Sequence, residues 1–452
     1  MEVVLSKVLK RIEPTLHEIH EAHKLFTKIK DIIVNDYPSL DVKLMGSVAK
    51  DTFISGDKDL DIFVLFDPKV SRVELEKTGL IIGKMIFDTL GGKFEVSYAE
   101  HPYTRGLIGK YDVEIVPAYA IKSTKQLLSS VDRTPFHTKY VHKNLKSTGD
   151  VRLLKKFLKG IGCYGSDLKT EGYSGYLCEL LVIKYGSFLD TLKYMQTLKF
   201  QEIIDLDNHY TKKKYLDVRK RFEGHPLIFI DPTDKLRNVS AVLSKEKLAI
   251  SINAAALFMN KPTMSFFFPV KKVIDEKRAI VNVKMRGVHV VVLRFSRPDE
   301  IEDILYPQLR RFMNLVAGKL SKEGYGILRA SVFGDMNCGI VFELNELKLS
   351  PMKMKKGPSI FNPLDHRMRF IEKSKNVWIE DDRLVSDEKR KYVDVNDFLC
   401  SFLKKPANKL TYEGVPDRLA KEIYSGFDIL VDSKVSKIKS GEFWLWIVRK
   451  AF

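Results

Sequence analysis

The sequence predicts an α+β protein: a mixed sheet backed by helices, then a central mainly helical stretch, then a C-terminal α/β region. Three observations lead there. The segment DKDLDIFVLF (57–66) opens on charged residues and runs into an unbroken apolar series, as a buried strand does. Apolar residues recur at helical spacing over Leu5–Val34 and again through the middle of the chain. The last third mixes short strand-like runs with one long helical one.

Taken in order, Leu5–Val34 gives two helices divided at Pro14, which cannot continue a helix. Val42–Met45 and Leu60–Phe66 read as strands and Val73–Leu90 as a helix with Ile82, Met85, Ile86 and Leu90 on its apolar face. Phe94–Ala99, Tyr103–Ile108 and Tyr111–Val116 add strands broken at His101-Pro102 and Gly109-Lys110, giving a small mixed sheet with acidic residues at one edge. Helices follow over Thr134–Val141, Val151–Gly160 and Ser174–Tyr185, the last with Ser174 as N-cap, and Leu227–Ile230 is a strand leading into Asp231-Pro232. Phe266–Pro269 and the charged VKKVIDEK (270–277) mark a boundary. Beyond it, Ile280–Val283 and Val288–Phe295 read as strands, Ile301–Leu320 as a helix, and Ile327–Phe333 and Ile340–Glu343 as strands, a β-β-α-β-β order. A basic loop carrying Lys353, Lys355 and Lys356 comes next, then helices around Asn396–Leu403 and Pro416–Tyr424.

With 452 residues the chain is long enough for roughly two to four domains. Lys and Arg outnumber Asp and Glu by 76 to 58, a net charge of +18 that makes nucleic acid the first candidate partner, against the plainer reading of a generally basic protein. Cys163, Cys178, Cys338 and Cys400 lie far apart without C-x-x-C spacing, so neither a zinc site nor a disulfide framework is signalled, and a reducing cytoplasm fits. No run of about 18 apolar residues occurs, and Met1–Lys10 lacks the apolar core of a signal peptide, so a chain neither membrane-spanning nor secreted is expected.

The chemistry concentrates in MGSVAKDTFISGDKDLDIFVLF (45–66). Strand side chains alternate faces, so Asp59 and Asp61 point the same way at the front of the strand. Like charges held together favour a cation between them, and hard oxygen ligands suit Mg²⁺ or Mn²⁺. Gly46 lets backbone approach a ligand closely and Ser47 offers a hydroxyl and an amide, the means of holding a phosphate. Phosphate in front and metal behind read as a nucleoside triphosphate site; the bland alternative is a polar turn entering a buried strand. In YDVEIVPAY (111–119), Asp112 and Glu114 also share a face, and one of them could meet the first pair across the sheet. Two acids from one strand and a third from another are what two-metal phosphoryl transfer needs; the alternative is a solvent-facing pair on an edge strand. NHYTKKKYLDVRKRFEG (208–224), basic with interleaved aromatics, suits an RNA backbone or simply a solvated helix face.

Gly46-Ser47, Asp59-Leu60-Asp61 and the later carboxylate resemble the nucleotidyltransferase superfamily that includes poly(A) polymerases and CCA-adding enzymes. SYAEHPYTRG (97–106), VDRTPFHTKY (131–140), VRLLKKFLKGIGCYG (151–165), GYSGYLCELLVIKYGSFL (172–189), DPTDKLRNVSAVLS (231–244) and RPDEIEDILYPQL (297–309) are similar to the archaeal type of CCA-adding enzyme, a tRNA nucleotidyltransferase. The resemblance is weaker beyond Leu309. It implies template-independent addition of C, C and A to the 3′ end of tRNA from CTP and ATP with Mg²⁺ and release of pyrophosphate. It implies a nucleotidyltransferase catalytic domain over 1–130, a nucleotide-recognition domain over 131–262 and a tRNA-binding region over 263–452. In site terms, Asp59, Asp61 and Glu114 hold the metals, and Gly46, Ser47 and Lys50 cradle the triphosphate. His137 and Lys155 lie near phosphates, Tyr164 near sugar or base, and Arg237 helps to choose the base. Lys50 stands where some relatives have arginine, keeping the charge without the bidentate fork. Aligned on the following Val-Pro-x-Tyr, the family's third aspartate falls on Glu114, leaving Asp112 to tune the local field. The rival readings are a poly(A) or oligoadenylate polymerase with the same centre and a non-catalytic RNA-binding protein. A homodimer is admitted as an assembly.

Overall fold

A computed structural model describes residues 1–98, 100–270 and 274–448, in two compact units that part in sequence at residue 271. Ala99, the expected end of one strand, and residues 271–273 of the expected boundary lie outside the described residues.

The first unit opens with α1 (Glu2–Ile12) and α2 (Leu16–Asp36) on either side of Pro14. Thr15 starts α2 with a capping box: its hydroxyl accepts the Glu18 N–H at 3.2 Å, and the Glu18 carboxylate accepts the Thr15 N–H at 2.9 Å. The same carboxylate accepts from the Ser55 hydroxyl at 3.1 Å and the Gly56 N–H at 3.0 Å, fastening the loop that precedes the acidic strand.

Next come β1 (Asp41–Leu44), the short α3 (Gly46–Ala49), β2 (Asp59–Phe66), α4 (Arg72–Leu90), β3 (Lys93–Tyr98), β4 (Pro102–Ile108) and β5 (Tyr111–Tyr119). The strands form one mixed sheet in the order β1-β2-β5-β4-β3, with β2 and β5 parallel and the other pairs antiparallel. One face presents Leu60, Ile62, Val64, Val113 and Ile115 to a core shared with Ile29, Ile33, Ile82, Ile86 and Phe87 of α2 and α4. α4 comes close to the sheet because Gly83 has no side chain: a Cβ there would stand 2.0 Å from the Thr104 hydroxyl oxygen of β4. The other face carries the acids at its front and a smaller apolar layer of Met45, Phe63, Leu65, Val116 and Ala118 behind them. Since β2 and β5 are interior strands, the acids sit at the leading ends of two adjacent parallel strands and not on a sheet edge.

The unit continues with α5 (Thr134–Asn144), α6 (Thr148–Gly160), α7 (Gly175–Tyr185), α8 (Phe188–Met195), β6 (Glu202–Asp205), α9 (Tyr215–Arg221), β7 (Leu227–Asp231), β8 (Asp234–Asn238) and α10 (Lys245–Asn260). Ser174 caps α7 by accepting the Leu177 N–H at 3.1 Å. Phe157 of α6 is fully buried, with the rings of Phe188, Phe258, Phe266 and Phe267 all within 5.9 Å, centre to centre. Strands β6, β7 and β8 make a three-stranded sheet; β6 and β8 are short and polar and leave no alternation to read. The basic run 208–224 forms a turn of 3₁₀-helix and α9, with Lys212, Lys213, Lys214, Arg219, Lys220 and Arg221 exposed.

The second unit comprises α11 (Glu276–Met285), β9 (His289–Phe295), α12 (Glu302–Glu323), β10 (Ile327–Phe333), β11 (Cys338–Leu344), β12 (Met352–Ser359), α13 (Leu364–Lys373), β13 (Lys375–Glu380), β14 (Arg383–Lys389), α14 (Val395–Leu403), α15 (Ala407–Tyr412), α16 (Asp417–Ser425), β15 (Phe427–Val431) and α17 (Gly441–Ile447). An antiparallel sheet, β10-β11-β9-β15, buries Val291, Leu293, Ile340 and Phe342 against Leu309, Phe312 and Val316 of α12 on one face. Its other face meets Ala279 and Val283 of α11 and Phe443 and Trp444 of α17.

Two expectations fail here. Ile280–Val283 is helical: Asp275 caps α11 by accepting the Arg278 N–H, and Ala279 and Val283, four apart, form the buried stripe while Val281 is exposed. The β-branched residues imitate a strand over a window too short to show the helical period, and the order becomes α-β-α-β-β. Lys353, Lys355 and Lys356 lie on strand β12, not in a loop; β12 pairs with β14, and Lys353 and Lys355 both bind Glu388, at 3.4 and 3.3 Å. This small sheet exposes most of β12, so no apolar alternation announces it.

Phe157→Ala should lower the unfolding free energy of the first unit by about 3–5 kcal/mol, since it empties the centre of a five-ring cluster. Denaturant titration checks this, and a loss below about 1 kcal/mol would mean that the rings do not depend on one another.

Candidate active site

The site begins with strand register. Parallel pairing sets Asp59 beside Asp112 and Asp61 beside Glu114, and paired residues face the same way. Four carboxylates therefore occupy one patch, with strands about 4.8 Å apart. At that range two unit charges repel by roughly 3 kcal/mol at an effective dielectric of about 20. The titration behaviour follows. Burial and then the neighbouring Asp57 and Asp112 raise the Asp59 carboxyl; burial and then Asp59 raise Asp61; burial and then Asp61 push Glu114 up to about 7.

Arg105 on β4, paired with Glu114 across the sheet, divides this group. Its Nη2 lies 2.7 Å from Asp112 Oδ2 and its Nε 3.2 Å from both Asp112 oxygens, whereas Glu114 Oε1 is 3.5 Å from Nε. Asp112 is thus held by the guanidinium, whose weaker contact at 3.5 Å only partly offsets the repulsion that Glu114 shares with Asp59 and Asp61. An all-carboxylate donor set fits a hard divalent cation such as Mg²⁺. Among the described residues, no three His, Cys, Asp or Glu side chains are gathered closely enough to enclose an ion as they stand.

Gly46 faces this patch. Its φ of +65° is left-handed, and a Cβ on it would fall 1.6 Å from Asp61 Oδ2, so position 46 has no room for a side chain. The Met45 N–H donates to the Asp61 carbonyl at 2.8 Å, tying the Gly46-Ser47 turn to the acidic strand.

Lys50 and Lys155 converge on a residue that the sequence reading does not single out. Glu179 of α7 is fully buried; its Oε2 accepts from Lys50 Nζ at 2.5 Å and its Oε1 from the Thr52 hydroxyl at 2.6 Å. Lys155 Nζ donates to the Thr52 carbonyl and hydroxyl oxygens, each at 3.0 Å, and lies 3.5 Å from Glu179 Oε1. Burial works to raise the Glu179 carboxyl, but Lys50 and Lys155 outweigh it and hold it below the usual range. Tyr164 lies nearby: a Cβ on Gly175 would meet its hydroxyl at 3.2 Å and the Lys155 ammonium at 3.5 Å, and burial pushes the phenol far up.

A second unforeseen carboxylate gathers the remaining residues. Asp231, at the end of β7 and fully buried, accepts at Oδ2 from Arg237 Nη1 at 2.8 Å and lies 2.9 Å from His137 Nε2. Its Oδ1 accepts from the Thr233 N–H at 2.9 Å and the Tyr176 hydroxyl at 3.3 Å. The His137 ring stacks on Tyr176 with centres 4.0 Å apart. Burial lowers the His137 pKa despite the opposing pull of Asp231, so at neutral pH the ring is uncharged and its Nε2–H is the donor to Asp231.

The ten expected residues therefore fall into three groups: Asp59, Asp61, Glu114, Gly46 and Ser47 at the sheet front; Lys50, Lys155 and Tyr164 around Glu179; His137 and Arg237 on Asp231. Arg105, Tyr176, Glu179 and Asp231 are the additions. Glu179 had one signal, a lone charge inside the apolar run LCELLVI (177–183).

Three family models match successive stretches of the chain: a nucleotidyltransferase domain over residues 26–137, a tRNA nucleotidyltransferase second domain over 149–268, and a CCA-adding enzyme C-terminal domain over 286–432. A CCA-adding enzyme of Pyrococcus abyssi is 36% identical over 462 aligned residues, spanning 100% of this chain and 99% of that protein. One from Methanocaldococcus jannaschii is 36% identical over 407 residues, spanning 88% of this chain and 89% of that protein. One from Thermococcus gammatolerans is 36% identical over 459 residues, spanning 100% of this chain and 98% of that protein.

With Asp112 bound to Arg105, Glu114→Gln should lose nearly all nucleotide transfer at saturating divalent cation, whereas Asp112→Asn should lose about tenfold or less, under ~1.4 kcal/mol of barrier. Single-turnover incorporation measures both, and the reverse ranking would give the metal to Asp112.

Proposed function

Because the chain belongs to the family of CCA-adding enzymes, we propose that it builds and repairs the 3′-terminal CCA of tRNA, taking C from CTP and A from ATP and releasing pyrophosphate without a nucleic-acid template. The observation that carries this reading is the identity to CCA-adding enzymes along the whole length of the chain, together with an acidic patch, Asp59, Asp61 and Glu114, whose mutual repulsion Arg105 only partly relieves. A non-catalytic RNA-binding protein would have no use for that repulsion.

In the reaction the 3′-terminal hydroxyl oxygen attacks the α-phosphorus in line. A P–O bond forms, the bond to the pyrophosphate oxygen breaks with its electron pair leaving on pyrophosphate, and the hydroxyl proton passes to solvent water. Asp59, Asp61 and Glu114 would hold Mg²⁺, which when bound would supply charge to activate the hydroxyl and steady the leaving pyrophosphate. Gly46 admits the triphosphate against the backbone, and the Ser47 hydroxyl and amide offer it hydrogen bonds. Lys155 and Lys50, each already bonded within the Glu179 cluster, add positive field rather than free donors. Tyr164 lies toward the sugar, while Arg237, oriented by Asp231, presents its planar fork to the Watson–Crick edge of the base. His137 with its Nε2–H committed to Asp231 offers Nδ1 as an acceptor, which suits a hydroxyl or amino group better than the phosphate oxygen expected from the sequence.

We assign nucleotidyl transfer to residues 1–130, nucleotide recognition to 131–262 and the grip on tRNA to 263–452. The net charge of +18 suits a polyanionic partner. No described helix is long and apolar enough to cross a membrane, and the four cysteines are free thiols, which suits a reducing cytoplasm. A homodimer is tested by sedimentation against the 52.0 kDa of one chain.

Supplied with tRNA lacking its CCA, the protein should add C from CTP alone and complete CCA only with both nucleotides; an adenylyl polymerase would add little from CTP. Asp59→Ala and Asp61→Ala should each abolish addition of both C and A while tRNA binding survives, since one centre serves every cycle. Loss of A addition alone would contradict a shared centre.

A further inference from the structure

The buried cluster around Glu179 holds more charge than packing requires. Two ammoniums, Lys50 and Lys155, share one carboxylate, and all three side chains are 9% exposed or less. A buried ion pair is a poor source of stability, because desolvation consumes most of the attraction and an apolar replacement is often neutral or better. An unbalanced triad is worse. Fold stability does not account for it, whereas a polyanionic ligand bound beside it would supply the missing charge.

Its wiring is directional. Lys155 donates to the Thr52 hydroxyl oxygen, and the same hydroxyl donates its one proton to Glu179 Oε1. This order of donors is fixed only while Glu179 is ionised and accepting. The segment it holds connects Ser47 to Asp59, and α6 fastens that segment independently: Arg152 binds Asp51 at 2.6 Å and the Phe53 carbonyl at 2.9 Å, and Lys159 binds Asp57 at 2.8 Å. Glu179 is therefore not the sole support of the loop.

We propose that Glu179 is a positioning residue for nucleotidyl transfer: its carboxylate, directly and through the Thr52 hydroxyl, holds Lys155 in place and offsets the repulsion of Lys50, so that Lys155 stays an ammonium and adds its field at the triphosphate. The inference rests on the nucleotidyl-transfer reading and deepens it. The groups that act on the pair are Lys50 from the end of α3, Cys178 beside Glu179 on α7, and the Tyr164 phenol. His137 and Asp61 feel Lys50 from farther off. Burial and then Lys50 depress Lys155, and Glu179 opposes both. Removing the carboxylate charge lets Lys155 lose its proton as pH rises, and lowering the pH returns it.

The test compares the full-length wild type, Glu179→Gln and Glu179→Asp on tRNA lacking CCA, with kcat and KM for CTP and ATP measured from about pH 6.5 to 9. Glu179→Gln should raise KM for both nucleotides at least about tenfold at the alkaline end, with the defect shrinking as pH falls. Glu179→Asp keeps the carboxylate charge, so any KM defect it shows should be independent of pH. If thermal melting shows that Glu179→Gln does not fold, Glu179→Asp carries the comparison, its KM changing by less than about threefold relative to wild type between the two ends of the pH range. An unchanged KM in Glu179→Gln, a Glu179→Gln defect independent of pH, or a Glu179→Asp defect that grows with pH would overturn the proposal. A wild type that transfers no nucleotide would instead overturn the reading on which it rests.

Discussion

The parallel pairing of β2 with β5 is the constraint on which the site depends. It sets Asp61 beside Glu114 and Asp59 beside Asp112 at the front of a sheet whose opposite face is closed by α2 and α4. Like charges so placed raise one another's pKa, and the surroundings are arranged around that repulsion. Arg105 removes Asp112 from the group, Gly46 leaves room beside Asp61, and the apolar layer behind the acids keeps the strands from sliding. A one-residue slip would send every acid to the core face.

Two buried carboxylates do the converse work. Glu179 collects Lys50 and Lys155, and Asp231 collects His137 and Arg237. Each is fully buried and placed by a regular element, one in the middle of α7 and one at the end of β7. Long cationic side chains have many rotamers, and a fixed acceptor reduces that freedom before a ligand arrives. These cationic side chains are thus held by anions that need not touch a ligand.

Much of this was legible in the sequence. The period-two spacing of Asp59 and Asp61, the apolar run behind them and the helical periods of 151–160 and 174–185 are local signals, and the structure keeps them. The choice between Asp112 and Glu114 was open to alternation alone, because both share a face; the guanidinium that separates them sits on another strand, and only the register brings it there. Glu179 and Asp231 gather residues distant in the chain, Lys50 at 129 residues and His137 at 94, together with nearer ones that show no local pattern. Ile280–Val283 and the lysines of β12 were misread where composition and structure diverge: β-branched residues on a short helix, and charged residues on a largely exposed strand.

The central claim is that Asp59, Asp61 and Glu114, and not Asp112, form the cation site. Soaking crystals with Mn²⁺ and CTP and collecting at a wavelength where manganese scatters anomalously tests it without reference to turnover. The account predicts anomalous density about 2.0–2.3 Å from carboxylate oxygens of Asp59, Asp61 and Glu114, with Asp112 still bound to Arg105. Density on Asp112, with Glu114 turned away, would contradict it.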